Sequence, residues 1–214
     1  MDTRQQVQEG RHEAVAREAV EKRGVFRGVF KLLYHEDLLT RHQAAMVLGR
    51  IAGLSPKLAN TLRERLLWAM NDESGTYCNG AAAAMAEIAL VQPDQLREFV
   101  PVLLSHLDDV EEEHIAQVLW AIGRLATTFP QETEATRSEV TPFLGHPDPS
   151  VRAMAARAII RMKVPKNSDI LKELVTDREE MEYVECSERL TRSIRDLILR
   201  ETLTPGCNCG PEGC

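Results

Sequence analysis

Three cysteines lie close together at the end of the chain, in the segment TPGCNCGPEGC. The chain has five cysteines in 214 residues, and Cys207, Cys209 and Cys214 are three of them. Thiolates at this C-x-C-x4-C spacing can converge on a soft metal, because zinc, Cu(I) and iron–sulfur clusters all accept sulfur ligands. The intervening glycines remove side chains that would hinder a tight turn around a metal. We therefore predict a metal or cluster site at these three cysteines.

Three sulfur ligands leave one coordination position open. Cys186, a residue of a partner protein or an exchangeable thiol could fill that position, which would suit a metal or cluster that is handed on. Two alternatives stay open, since the spacing matches no zinc-finger signature: the tail takes part in thiol–disulfide exchange, or it has no chemical role. Cys78 and Cys186 lie in predicted helices, and we interpret both as half-buried thiols.

Patterns that would indicate an enzyme are absent from the sequence. It contains no glycine-rich phosphate loop, no nucleophile elbow and no Cys-His-Asp order. Histidine–glutamate pairs occur at His12–Glu13 and His35–Glu36, but they do not recur at regular positions as a paired metal site would require. We interpret His35 and His146 as polar residues of turns, and we predict a protein that is not an enzyme.

The net charge and the hydropathy of the sequence indicate which partners and which cellular location the protein has. A formal net charge of -7 disfavours nucleic acid and anionic membranes, which both need a clustered positive surface. The N-terminus is polar from the first residue and no apolar stretch of membrane-spanning length follows. We predict a cytoplasmic protein, a monomer or a subunit of a hetero-complex, in which five cysteines form no structural disulfides.

The sequence repeats itself at a spacing of 37 residues. Four segments that begin at Arg41, Cys78, Ile115 and Arg152 align without gaps, and the helix that precedes each of them repeats as well. Apolar residues share the register in the second helices at Leu48, Met85, Ile122 and Ile159 and at Ile51, Ile88, Leu125 and Met162. In the first helices they share it at Leu33, Met70, Leu107 and Leu144 and at Val29, Leu66, Leu103 and Val140. Each repeat is therefore a predicted pair of helices, with Asp37, Asp72, Asp109 and Asp148 or their neighbours as N-caps of the second helix.

The segment HPDPSVRAMAARAI at 146–159 resembles a HEAT repeat of the phycobilin-lyase-like type, and HEDLLTRHQAAMVLG at 35–49 resembles a second copy. The resemblance covers roughly residues 10 to 165 and implies an all-α fold, an α-solenoid of about five helix pairs in a right-handed superhelix. Residues 1–203 would form the solenoid, with 168–203 as an atypical last helix pair that caps it, and 204–214 would form the cysteine-rich tail. The family also implies a concave surface, lined by the second helices, that binds a protein partner.

Transfer of one helix face through the repeats gives the residues of that surface. They are His42, Arg50, Trp120, Arg124, Arg157 and Arg161. Tryptophan and arginine often dominate binding energy, so we predict an exposed ridge centred on Trp120, with pairing of the arginines to glutamates of neighbouring helices as the alternative. Trp68 follows Leu66 and Leu67 in a first helix, and we predict that it lies in the core.

These expectations combine into a non-catalytic adaptor. It would bind a protein partner on the concave face, and its cysteine tail would bind or deliver a metal or an iron–sulfur cluster there. The alternatives are an accessory subunit of a cofactor-attaching lyase or redox complex, with the tail as a thiol–disulfide arm, and an assembly scaffold with an inert tail.

Overall fold

The computed structural model of the chain describes residues 2–71, 77–107, 112–163 and 169–203. They form two compact units, one that ends at Val102 and one that begins at Leu103. Both units are built mainly from paired helices, and the predicted all-α solenoid is confirmed.

The helices of the first unit are α1 (Thr3–Gln8), α2 (His12–Glu21), α3 (Arg23–Lys31) with a 3-10 turn (Leu32–Tyr34), α4 (Leu38–Leu54), α5 (Pro56–Met70) and α6 (Ala81–Val91) with a 3-10 turn (Pro93–Gln95). Helix α7 (Leu96–Ser105) contains the boundary between the units. The second unit contains α8 (Glu112–Thr128), α9 (Pro130–Glu134), α10 (Arg137–Val140) with a 3-10 turn (Thr141–Gly145), α11 (Pro149–Arg161), α12 (Asp169–Lys172) with a 3-10 turn (Leu174–Thr176), β1 (Glu180–Glu185), β2 (Glu188–Ser193) and α13 (Ile194–Leu203).

The apolar register of the repeat forms the core of each unit. In the first unit the residues in register are all buried, namely Val29, Leu33, Leu48, Ile51, Leu66, Met70, Met85 and Ile88. In the second unit their equivalents are buried too, namely Leu103, Leu107, Ile122, Leu125, Val140, Leu144, Ile159 and Met162. The prediction of helix pairs from the 37-residue spacing is thus confirmed at the level of individual side chains.

Small residues let the second helices of neighbouring repeats approach closely. A Cβ atom on Gly49 of α4 would lie 2.9 Å from the backbone oxygen of Glu87 in α6. One on Gly123 of α8 would lie 3.2 Å from Cα of Ala158 in α11. The two glycines are 74 residues apart, twice the repeat length, so the same position serves the same purpose in both units.

The turn between the paired helices is held by a hydrogen-bond network that repeats. The Asp148 carboxylate accepts from backbone N–H groups in the first turn of α11, at 2.7 and 3.1 Å, and caps that helix. His146 Nδ1 accepts from the Asp148 N–H, and Arg152 Nη1 donates to the carbonyls of His146 and Pro147. Three repeats earlier, equivalent contacts are made by His35, Asp37 and Arg41. The interpretation of His35 and His146 as turn residues is confirmed, whereas Asp72 and Asp109 lie outside the described residues.

The last repeat differs from our prediction. For 168–203 we expected a helix pair, but between α12 and α13 the chain forms an antiparallel hairpin in which Glu180 pairs with Ser193 and Glu185 with Glu188. The hairpin closes through a two-residue turn, with φ of 50° at Cys186 and 63° at Ser187, the left-handed geometry that matches strand twist. Cys186 therefore lies in a β-turn and not in a helix. The alternation of buried Met181 and Tyr183 with exposed glutamates was the period-two signal for a strand.

The hairpin is an insertion into the interhelical turn of this repeat. At its base the N–H of Ile194 donates to the carbonyl of Glu179 at 3.0 Å, which brings the ends of the inserted segment together. Arg152 of α11 binds Asp177 at 3.0 Å and Glu179 at 2.8 Å, directly before β1. The chain can therefore leave the turn, form two strands and return to start α13 without disturbing the helix pair.

Across 2–71, 77–107, 112–163 and 169–203, no helix combines the length and the apolar character that crossing a membrane requires.

Candidate protein-binding surface

The predicted ridge around Trp120 is not an exposed surface. Trp120 is only 7% exposed, and its indole Nε1 donates to the backbone carbonyl of Val184 in β1 at 2.9 Å. The other five predicted residues are also shielded from solvent: His42, Arg124, Arg157 and Arg161 are buried and Arg50 is half-buried. The prediction of an exposed ridge was therefore wrong, because sequence periodicity located the helix face but did not reveal what covers it.

In the second unit this face is covered by the hairpin and α13. Arg157 and Arg161 of α11 meet Glu185 at the end of β1 and Glu201 of α13, and all four side chains are buried. Five hydrogen bonds of 2.8 to 3.0 Å connect the two guanidinium groups with the two carboxylates. For these two arginines the structure confirms the alternative that we left open, which is pairing with glutamates inside the protein.

A third arginine reaches this cluster, because Arg200 Nη1 of α13 lies 3.4 Å from a carboxylate oxygen of Glu185. Burial alone would raise the pKa of Glu185, but Arg157 and Arg161 outweigh it and hold that pKa below its usual range. Burial, reinforced by the neighbouring Arg161, lowers the pKa of Arg157. The Arg157 guanidinium also lies 5.9 Å from the ring centre of Trp120 and 5.7 Å from that of Tyr183. Three arginines, two glutamates and the ring of Trp120 thus connect the hairpin and α13 with α8 and α11.

In the first unit the same face is also packed. Arg50 of α4 lies 3.9 Å from Glu13 of α2. The neighbouring His12 is buried, and burial together with the positive charge of Arg50 lowers its pKa to about 4. A histidine that is neutral at physiological pH in this setting fills space between α2 and α4, so the His12–Glu13 pair is part of the helix packing.

The cysteines occupy three different situations. Cys78 is a buried free thiol, and burial raises its pKa to about 11, which makes it unreactive. Cys186 is half-buried, as predicted, but it is disulfide-bonded and not a free thiol, so the expectation of a chain without disulfides was wrong. Cys207, Cys209 and Cys214 lie outside the described residues. Within the described residues, no three histidine, cysteine or acidic side chains are grouped closely enough to hold a metal ion.

Trp68, which we predicted to be a core residue, is 67% exposed. Helix α5 buries Ala59, Leu62, Leu66 and Ala69 and turns Trp68 away from them. Its neighbours on the exposed side are Lys57, Thr61 and Arg65, each three or four residues from the next, which is the spacing of a single helix face. The sequence contained this signal, but the adjacent Leu66 and Leu67 favoured the core interpretation.

A groove of about 450 Å³ lies beside this face of α5 and is closed on the other side by α2 and α3. Arg23, Arg27, Lys57 and Arg65 line it, together with one carboxylate, Glu21. Apolar side chains complete its walls at Ala19, Val20, Phe26 and Leu58. We call this cavity and the adjacent Trp68 the α5 groove.

Arg65 is held in place at one side of the groove. Its guanidinium carbon lies 5.6 Å from the ring centre of Phe26 and 5.2 Å from that of Phe30, so two aromatic rings of α3 restrict its motion. A guanidinium that is fixed in this way presents its N–H groups in one plane, ready for a bidentate anion. The α5 groove thus combines an exposed tryptophan with pre-oriented positive charge.

Comparison with known proteins places this architecture in a class. The HEAT repeats family matches residues 100–184. The chain is similar to an uncharacterized protein of Archaeoglobus fulgidus, with 33% identity over 173 residues that cover 78% of this chain and 90% of that protein. The fold and these matches define an all-α repeat solenoid. The chain belongs to the HEAT-repeat family, while the phycobilin-lyase-like type stays a prediction.

One solved structure is similar to this chain in fold alone. An engineered protein superimposes with a TM-score of 0.51 at 17% identity and covers 95% of this chain and 96% of its own. An archaeal HEAT-like repeats protein from Thermococcus onnurineus NA1 has a TM-score of 0.43 at 16% identity and covers 92% of this chain and 76% of its own.

Proposed function

We propose that this HEAT-repeat protein is a non-catalytic adaptor that binds a partner protein at the α5 groove. The observation that supports the proposal is the exposure of Trp68, at 67%, on the same face of α5 as two cations of the groove, Lys57 and Arg65. Tryptophan and arginine are the residue types most enriched among residues that dominate interface energies, and Arg65 is one helical turn away from Trp68. The adaptor would act as a monomer or as a subunit of a hetero-complex.

Replacement of Trp68 tests this proposal. A photo-crosslinking amino acid in place of the exposed Glu64, one turn before Trp68 on α5, would first capture the partner from a lysate of the source organism. Calorimetry with the purified partner would then measure affinity. We expect Trp68→Ala to weaken the complex at least 10-fold, because loss of a central aromatic anchor typically costs ~2 kcal/mol or more.

Leu203→Ala is the matched control, since Leu203 is also an exposed apolar residue, at 76%, but lies in α13. It should leave the affinity unchanged. Equal affinities for wild type and Trp68→Ala would contradict the assignment of the partner to the α5 groove.

The cysteine tail adds a second role to the proposal. Three thiolates at Cys207, Cys209 and Cys214 would bind zinc, Cu(I) or an iron–sulfur cluster and deliver it to the bound partner. The support is the C-x-C-x4-C spacing, with Cys186 as a candidate fourth ligand once its disulfide is reduced.

A metal analysis tests the tail. Protein purified without oxygen should contain zinc, copper or iron in stoichiometric amount, and a Cys207→Ser, Cys209→Ser double variant should lose the metal with unchanged helicity. Cys78→Ser is the control and should keep it, because Cys78 is buried among helices. Metal retained by the double variant would move the site elsewhere.

The disulfide of Cys186 favours a second candidate function, a thiol–disulfide arm. Cys186 is disulfide-bonded, whereas Cys78 is a buried free thiol. A dithiol substrate would reduce such a bond in two steps: its first thiolate attacks one sulfur and releases the other as a thiolate, and its second thiolate then resolves the mixed disulfide. Metal-free protein under reducing conditions would favour this function over metal delivery.

A further inference from the structure

We infer that the α5 groove recognises an acidic, extended segment of its partner that also carries an apolar side chain. This inference rests on the proposed partner-binding function and specifies the chemistry of the partner. Two features support the inference: the positive charges of the groove, and the arrangement of these charges along α3 and α5.

The charge of the groove is opposite to that of the protein. The chain as a whole has a formal net charge of -7, yet four basic residues and a single acidic one line this cavity. Many other basic side chains are neutralised: Arg17, Lys22, Arg63 and Arg152 each bind a carboxylate within 3.1 Å. None of the four groove cations forms an ion pair with a residue of the ranges that the structure describes, so their charge is available to a ligand.

The spacing of the cations fits a chain better than a single small anion. Lys57 and Arg65 are eight residues apart on α5, which corresponds to about 12 Å along the helix axis. Arg23 and Arg27 are about 6 Å apart along α3. An extended peptide rises about 3.3 Å per residue, so carboxylates spread over about four residues would reach both ends of the groove. One phosphate ion would reach only one end.

Apolar residues of the α5 groove indicate that the partner segment also carries an apolar side chain. Phe26 and Leu58 line the cavity together with the cations. Trp68 lies one helical turn beyond Arg65. An acidic segment with a leucine or an aromatic residue would place its carboxylates on the arginines and its apolar side chain against this surface. Nucleic acid fits less well, because its affinity depends on many phosphate contacts and the groove offers four cations on an acidic protein.

Labelled synthetic peptides and the full-length protein test the inference by fluorescence anisotropy. The acidic peptide LEDEEDL should bind at least 10-fold more tightly than the neutral peptide LQNQQNL. Its affinity should fall as salt concentration rises, because the contacts are solvent-exposed ion pairs. Arg27→Glu combined with Lys57→Glu should weaken LEDEEDL at least 10-fold. Both residues are exposed, so the fold should not suffer.

Arg178→Glu combined with Arg195→Glu is the matched control. Both residues are exposed arginines of the second unit that form no ion pair within the described ranges, and the double reversal changes the net charge by the same amount. It should alter the affinity for LEDEEDL less than twofold. An equal loss in both double variants would show that only the overall charge matters and would overturn the inference.

Three further results would overturn it. Labelled oligo-uridylate that binds more tightly than LEDEEDL and competes with it would assign the groove to nucleic acid. A dimer in light scattering that the Arg27→Glu, Lys57→Glu variant no longer forms would assign it to a second copy of the chain. No difference between the acidic and the neutral peptide would reject an acidic ligand, and crosslinking at position 64 would still report separately on whether a partner binds there.

Discussion

Glu201→Gln should destabilise the second unit by about 3–5 kcal/mol, a large effect for a change of a single carboxylate to an amide. Glu201 accepts hydrogen bonds from both Arg157 and Arg161, and it is 2% exposed. The variant leaves Glu185 to face Arg157, Arg161 and the more exposed Arg200, so positive charge in a buried site loses its partner. Urea unfolding in a Trp68→Phe background measures the effect, since the fluorescence of buried Trp120 then reports on the second unit.

Glu182→Gln is the control for this prediction. Glu182 lies on the solvent face of the same hairpin, 3.7 Å from Arg189, with more than half of its side chain exposed. Surface ion pairs contribute little, so we expect a change within about 0.5 kcal/mol. A cost below 1 kcal/mol for Glu201→Gln would mean that water or a compensating charge reaches the cluster.

Trp120→Ala should cost about 3–5 kcal/mol and should release the hairpin from α8. The substitution removes a buried aromatic side chain, leaves a cavity and takes away the indole donor of the Val184 carbonyl. Hydrogen exchange should therefore accelerate in β1 and β2. This expectation replaces that of the sequence analysis, in which Trp120 was an interface residue whose removal leaves the fold intact.

Trp68→Ala is the matched control, because it removes the same side chain from an exposed position of α5. It should change the free energy of unfolding by no more than about 0.5 kcal/mol. Equal stability losses for the two tryptophans, or hairpin exchange that is unchanged in Trp120→Ala, would contradict the packing described above.

The repeat and the core could be predicted from the amino-acid sequence. Apolar residues at a fixed spacing in each repeat, such as Leu48 and Ile159, lie on one face of a helix. Burial of that face is favourable because it removes apolar surface from water. The turn network follows from the same local logic, because an aspartate such as Asp148 caps the helix that starts immediately after it. These features depend on neighbours within a few residues or on a regular period, and both are visible in a sequence.

The burial of Trp120, in contrast, follows from the tertiary fold. The spacing of Trp68 with Lys57 and Arg65 already indicated the exposed face of α5, although the adjacent leucines favoured the core, whereas no local pattern around Trp120 indicated its cover. Trp120 is covered by β1, which lies more than sixty residues further along the chain, while nothing in the described residues covers Trp68 to the same extent. Burial of a helix face depends on which distant segment folds onto it. The free energy of that contact depends on both segments, so the sequence of one segment does not predict it.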